Sequence, residues 1–185
     1  MTTTGFDPRA VANLLLSAAS QRGIRLTNVS VQKLLYFAHA SFWVQFRRPL
    51  VNGVFEAWEY GPVCRAVYDA LKQHGRSPIV DPIKRSNPFT GQGEKIAEID
   101  DADAIFHVQN VIRTMGHLSA SDLIELSHRP GGAWDEVWNK SKTKATIGNR
   151  IDDKLTLERF YRLKMPMRPQ SQDGDIDEAA PLAGD

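Results

Sequence analysis

The chain has a single cysteine, Cys64, so neither an intrachain disulfide nor a multi-cysteine zinc site can form. A lone thiol fits a reducing compartment, and the cytoplasm is the expected location. No apolar run reaches the length of a membrane-spanning helix, so no membrane partner is expected. The stretch AVANLLLSAAS is apolar, but no Lys or Arg precedes Asp7, and Asn13 interrupts it. Asp7-Pro8 reads as a helix start rather than as part of an export signal. Motifs that carry chemistry are missing as well. There is no phosphate-cradling GxxxxGK[ST], no dinucleotide GxGxxG, no GxSxG elbow and no HExxH. His39, His74, His107, His117 and His128 include no pair at the four-residue helical spacing of a zinc-binding helix. Cys64 lies beside Val63 and Val67 and reads as a small packed hydrophobe rather than a nucleophile. No cofactor, metal or catalytic constellation follows from these residues, and the chain is not expected to be an enzyme.

Strong charge of one sign is also lacking. The net charge is +1 over 185 residues. This balance conceals an acidic end, where Asp173, Asp175, Asp177, Glu178 and Asp185 face Arg168 alone. After Pro166 there is almost nothing to bury, and the tail 166–185 is expected to be disordered. Such a tail spans roughly 25 Å as a coil, enough to tether a second partner. Residues 1–165 then form one domain. Lys140, Lys142, Lys144 and Arg150 make a basic stretch that reads as a solvated loop. A helix-turn-helix over 101–115 and 119–128 would present the acids of Ser-Asp-Leu-Ile-Glu-Leu to a groove, which argues against nucleic acid as a partner.

What remains is helical periodicity. Asp7 and Pro8 open a first helix over about 8–21, with Val11, Leu14, Leu15 and Ala18 on one face and Gly23 as its stop. Thr27 or Asn28 caps a second helix that is apolar nearly all round, through Val31, Leu34, Leu35, Phe37 and Phe42. A helix of that kind is buried on several sides and is expected at the centre. Val54–Trp58 is short and β-prone. Gly61-Pro62 is read as the start of a third helix, with Glu59 accepting from its first amides. Residues 76–99 form a loop or weak hairpin. Asp101 or Asp103 starts a fourth helix. Ser119-x-x-Asp122 resembles a capping box ahead of Leu123, Ile124 and Leu126. Trp134 and Trp138 lie one turn apart on a short helix, and a last helix runs from about Asp152 to Lys164. The expected fold is mainly α, a compact single-domain bundle of about six helices with a short β segment or hairpin.

Four blocks in this order carry a family likeness: QKLLYFAHASFW (32–43), the Arg-Pro-Leu turn (48–50), FEAWEYGPVCRAVYDAL (55–71) and SASDLIELSHRPGGAW (119–134). Together they resemble the Panacea domain of SocA-like antitoxins, also known as GepA-like phage-associated proteins. The likeness covers about three quarters of the chain. It departs mildly at Ile124–His128, where the family has a threonine-histidine segment, and it does not reach the acidic tail. The resemblance implies a type VI antitoxin that binds a cognate, SocB-like toxin and acts as a proteolytic adaptor delivering it to the ClpXP protease through ClpX. The alternatives are a stoichiometric antitoxin that occludes its toxin without proteolysis and, more weakly, a DNA-binding repressor. A binding module of this kind needs rigid aromatic and arginine anchors. Trp58, Tyr60, Arg65, Tyr68, His128 and Trp134 are the candidates for the toxin-facing surface. The competing reading makes most of them core or hinge residues.

Overall fold

The computed structural model describes residues 4–143 and 149–162. The acidic tail, its boundary near residue 165 and Lys144 of the basic stretch lie outside the described residues. Asp7 caps α1 (Pro8–Ser20) by accepting from the Arg9 amide at 2.8 Å, and Pro8 takes the first helical position. The helix closes on Gly23, at φ +69°, with Gly23 N–H to Ser20 O at 3.0 Å and Ile24 N–H to Ala19 O at 2.9 Å. That pair of bonds is the Schellman arrangement, and it satisfies carbonyls that would otherwise lack donors.

Thr27 caps α2 (Asn28–Phe46), which is buried from Val31 to Phe42. Arg47 then turns left-handed at φ 56° and ends the helix. A hairpin of β1 (Phe55–Trp58) and β2 (Gly61–Cys64) follows, pairing Phe55 with Cys64 and Trp58 with Gly61. Only then does α3 (Arg65–Leu71) start. The helix expected to open at Gly61-Pro62 is therefore a strand over its first four residues. Gly61 sits at φ +98°, outside the helical region, and the two strands pair across the intervening turn. This displaces Glu59 from the expected capping role and leaves it exposed in that turn.

β3 (Lys84–Ser86) and β4 (Gly93–Lys95) make a short hairpin within 76–99, the second of the two alternatives, loop or weak hairpin, read from the sequence. Asp101 caps α4 (Ala102–Met115), accepting from the Ala104 amide at 2.9 Å. A full capping box between Ser119 and Asp122 opens α5 (Ala120–Ser127). α6 (Ala133–Thr143) carries Trp134 and Trp138. β5 (Arg150–Ile151) then pairs with the free edge of β1, giving the order β2-β1-β5, and α7 (Asp153–Arg162) closes the described fold. Among the described residues the architecture is mainly α, with seven α-helices, α2 at their centre, and two small sheets. α2 touches α1, α3, α4, α5, α7 and β2.

Although most of α2 is apolar, its buried polar groups are bonded to other parts of the fold. Gln32 Oε1 accepts from the Cys64 amide at 2.8 Å, and Lys33 Nζ donates to Pro62 O at 2.9 Å. His39 Nδ1 accepts from the Val51 amide at 3.1 Å, so the proton lies on Nε2, which faces Asp153 Oδ1 at 3.3 Å. His107 Nε2 on α4 reaches Ser41 Oγ at 2.8 Å and Ala38 O at 3.2 Å. These bonds fix the rotation of a helix whose apolar surface alone would leave it undetermined.

Candidate partner-binding surface

The β1–β2 hairpin projects Trp58 and Tyr60 from the small sheet, and α3 brings Arg65 and Tyr68 back over it. Glu56 and Trp58, two apart on β1, share one face of the strand. The Trp58 indole N–H donates to Glu56 Oε2 at 2.8 Å, and Arg65 donates to the same oxygen at 2.9 Å. The Arg65 guanidinium lies 5.3 Å from the centre of the Trp58 ring, while Tyr68 meets that ring edge-on at 4.8 Å. The Arg65 hydrogen bond holds the Glu56 carboxyl below the usual carboxylate range, against the opposing effect of burial.

A second group joins through the backbone. The Trp134 indole N–H donates to Trp58 O at 2.8 Å. Trp134 stacks on His128 at 3.7 Å between ring centres and on Trp138 at 5.4 Å. Hydrogen bonds and ring contacts thus connect Tyr68, Arg65, Trp58, Trp134 and His128 without a break. Tyr60 adjoins them in the hairpin turn, 62% exposed. The six residues singled out from the sequence therefore meet in one region, at different depths. Tyr60 and Arg65 are exposed, and Trp58, Tyr68 and His128 are half-buried. Trp134 is 6% exposed and forms the floor.

Beneath the hairpin lies a polar cluster that sequence reasoning missed. Lys33 is 1% exposed, and burial pushes its amine down to about 7. His128 is also lowered, first by burial and then by the charge of Lys33. Its Nε2 is buried without a hydrogen-bond partner among the described residues. Glu56 and Trp138 were missed too. Their signals were available, an acid two residues before Trp58 on a strand and a Trp one helical turn after Trp134. Lys33 gave a fainter signal, as a lone cation in an otherwise apolar run.

Other candidates lie outside this region or have structural roles. Cys64 is buried, and burial raises its thiol. Lys140 pairs with Glu136, which also binds Arg159. Among the described residues no group of His, Cys, Asp and Glu gathers to hold a metal ion, and no helix is long and apolar enough to cross a membrane. A groove of about 1170 Å³ between α1 and the segments 78–84 and 95–99 shares no residue with the aromatic region.

The sequence profile of the family described as "Antitoxin SocA-like, Panacea domain" matches residues 31–135. The matched span contains the hairpin, α3, α5 and the Trp134 floor. The chain is also 41% identical over 175 residues to the protein named Antitoxin SocA from Caulobacter vibrioides (strain NA1000 / CB15N), covering 95% of this chain and 93% of that relative. No solved structure matches the chain.

Proposed function

The chain belongs to the SocA-like antitoxin family with a Panacea domain, and from this premise we propose that it neutralises its cognate toxin by binding it directly and delivering it to ClpXP. The family supports an antitoxin role and implies a toxin as partner. The direct contact, the delivery and the surface used are our proposal.

The observation that carries the proposed surface is the unbroken contact path from Tyr68 to His128, with Tyr60 and Arg65 exposed at its rim. Trp, Tyr and Arg dominate interface hot spots because they bury much area for few rotors, and here their neighbours already hold them in place. Glu56 keeps Arg65 over Trp58, and Trp134 keeps the Trp58 backbone in position. Covering this surface therefore costs this chain little further side-chain freedom. The reading assigns no catalytic step to any of these residues.

Co-purification with the product of the neighbouring reading frame tests the contact, and timed degradation of that partner by ClpXP with ATP tests delivery. Faster loss of the partner in the presence of this chain supports an adaptor. A stable complex whose partner is spared makes the chain an occluding antitoxin. Absence of any complex overturns the proposal.

A further inference from the structure

We propose, on the toxin-binding reading above, that Lys33 is a positioning residue for that surface, tying the Tyr60-Gly61-Pro62 turn to the end of α5 so that the hairpin rings and the α5–α6 rings keep one relative placement. Lys33 Nζ donates to Pro62 O at 2.9 Å from inside α2. The Gly61 backbone lies against the lysine stem. A Cβ there would come 2.8 Å from Lys33 Cε, 3.0 Å from Lys33 Nζ and 2.4 Å from Ser127 Oγ. The turn is thus clasped between a side chain of α2 and the last residue of α5. Ser127 is itself fixed, its hydroxyl donating to Ile124 O at 2.8 Å. The residue after it is His128, whose ring stacks on Trp134. Tyr60 precedes the clasp on one side, and His128 follows it on the other.

The energetics point the same way. A methionine would fill this volume without the cost of a buried amine. What the amine adds is the bond to Pro62 O. Among the described residues no carboxylate offsets its charge. β2 offers only the buried Cys64 thiol, and the acids of α5, Asp122 and Glu125, are exposed. The titratable group whose field meets that of Lys33 is His128, which also feels Asp135 of α6.

The test uses the full chain and Lys33→Met, with Leu15→Ala as a control that weakens the core on α1. Two readouts are taken. The first is the NMR signal of the Gly61 amide, which lies against the amine, from pH 6 to 9. It is expected to titrate with a midpoint near 7 in the wild type and to lose that step in K33M. The second is affinity for the toxin, expected to fall about tenfold in K33M and to be unchanged in L15A. Unmoved Trp58 and Trp134 indole signals with wild-type affinity in K33M would overturn the proposal. If K33M does not fold, Gly61→Ala replaces it. That change pushes the same turn off Ser127, and wild-type affinity there overturns the clasp equally. If the wild type binds no toxin, the functional reading fails, while the NMR titration still decides whether Lys33 holds the turn.

Discussion

Trp58 is held through its ring, its indole N–H and its carbonyl. Its ring takes Arg65 and Tyr68, its indole N–H takes Glu56, and its carbonyl takes Trp134. Truncating the side chain removes the first three contacts and leaves the fourth, which belongs to the backbone. Trp58→Ala should therefore stay folded, with an unchanged far-UV CD spectrum, and lose at least tenfold in toxin affinity by calorimetry. Tyr68→Ala should behave similarly with a smaller loss, because it contributes one edge contact. The tenfold loss at Trp58 corresponds to ~1.4 kcal/mol, which places it among the minority of interface residues that cost more than about 1 kcal/mol on truncation. Normal binding by both variants would move the interface away from this surface. The six candidate residues were legible in the sequence because aromatic and arginine side chains advertise themselves by type. Lys33 left only the faint trace of a lone cation in an apolar run, which does not tell the centre of a bundle from its edge. Its burial follows from where α5 and the hairpin come to rest.

At the scale of elements, α2 and α4 meet through a histidine. His107 is buried against Ser41 and the Ala38 carbonyl, and burial pushes its pKa down to about 4. The unfolded chain takes up that proton near 6.5, so between about 6.5 and 4 the unfolded state binds more protons than the folded one. Stability from this group is complete above the upper limit and declines as the pH falls through the window, by about 3 kcal/mol in all. Urea unfolding at pH 7 and pH 4.5 should show a larger drop for the wild type than for His107→Gln, and equal drops would contradict the assignment. The α5 cap offers a second check. Ser119→Ala should cost about 1 kcal/mol by thermal unfolding, since the hydroxyl accepts from the Asp122 amide at 3.1 Å.

The same scale explains what the sequence could and could not reveal. The α1 cap, the all-round apolar α2 and the Ser119 capping box are local patterns, and the structure follows them. β2 was misread because Gly-Pro is a frequent helix opener, whereas here Gly61 takes a left-handed turn that pairs Val63 with Glu56. β5 is two residues long and is defined by β1, a partner far away in sequence, so no local periodicity marks it.

At the scale of the whole molecule, the described residues form a mainly helical fold whose aromatic surface is built where hairpin, α3, α5 and α6 converge. The groove beside α1 is separate from that surface. On the adaptor reading proposed above, two partners must be held, and the acidic composition of 166–185 makes that segment the candidate for the second contact. Deleting 166–185 should leave toxin binding intact in calorimetry and abolish ClpXP-dependent loss of the toxin. Unchanged degradation would remove that segment from the mechanism.

The most direct measurement follows toxin over time with ClpXP, ATP and either the wild-type chain or Trp58→Ala. The account predicts fast toxin loss with the wild type and slow loss with the variant. Equal loss in both, or toxin protected by the wild type, would contradict it.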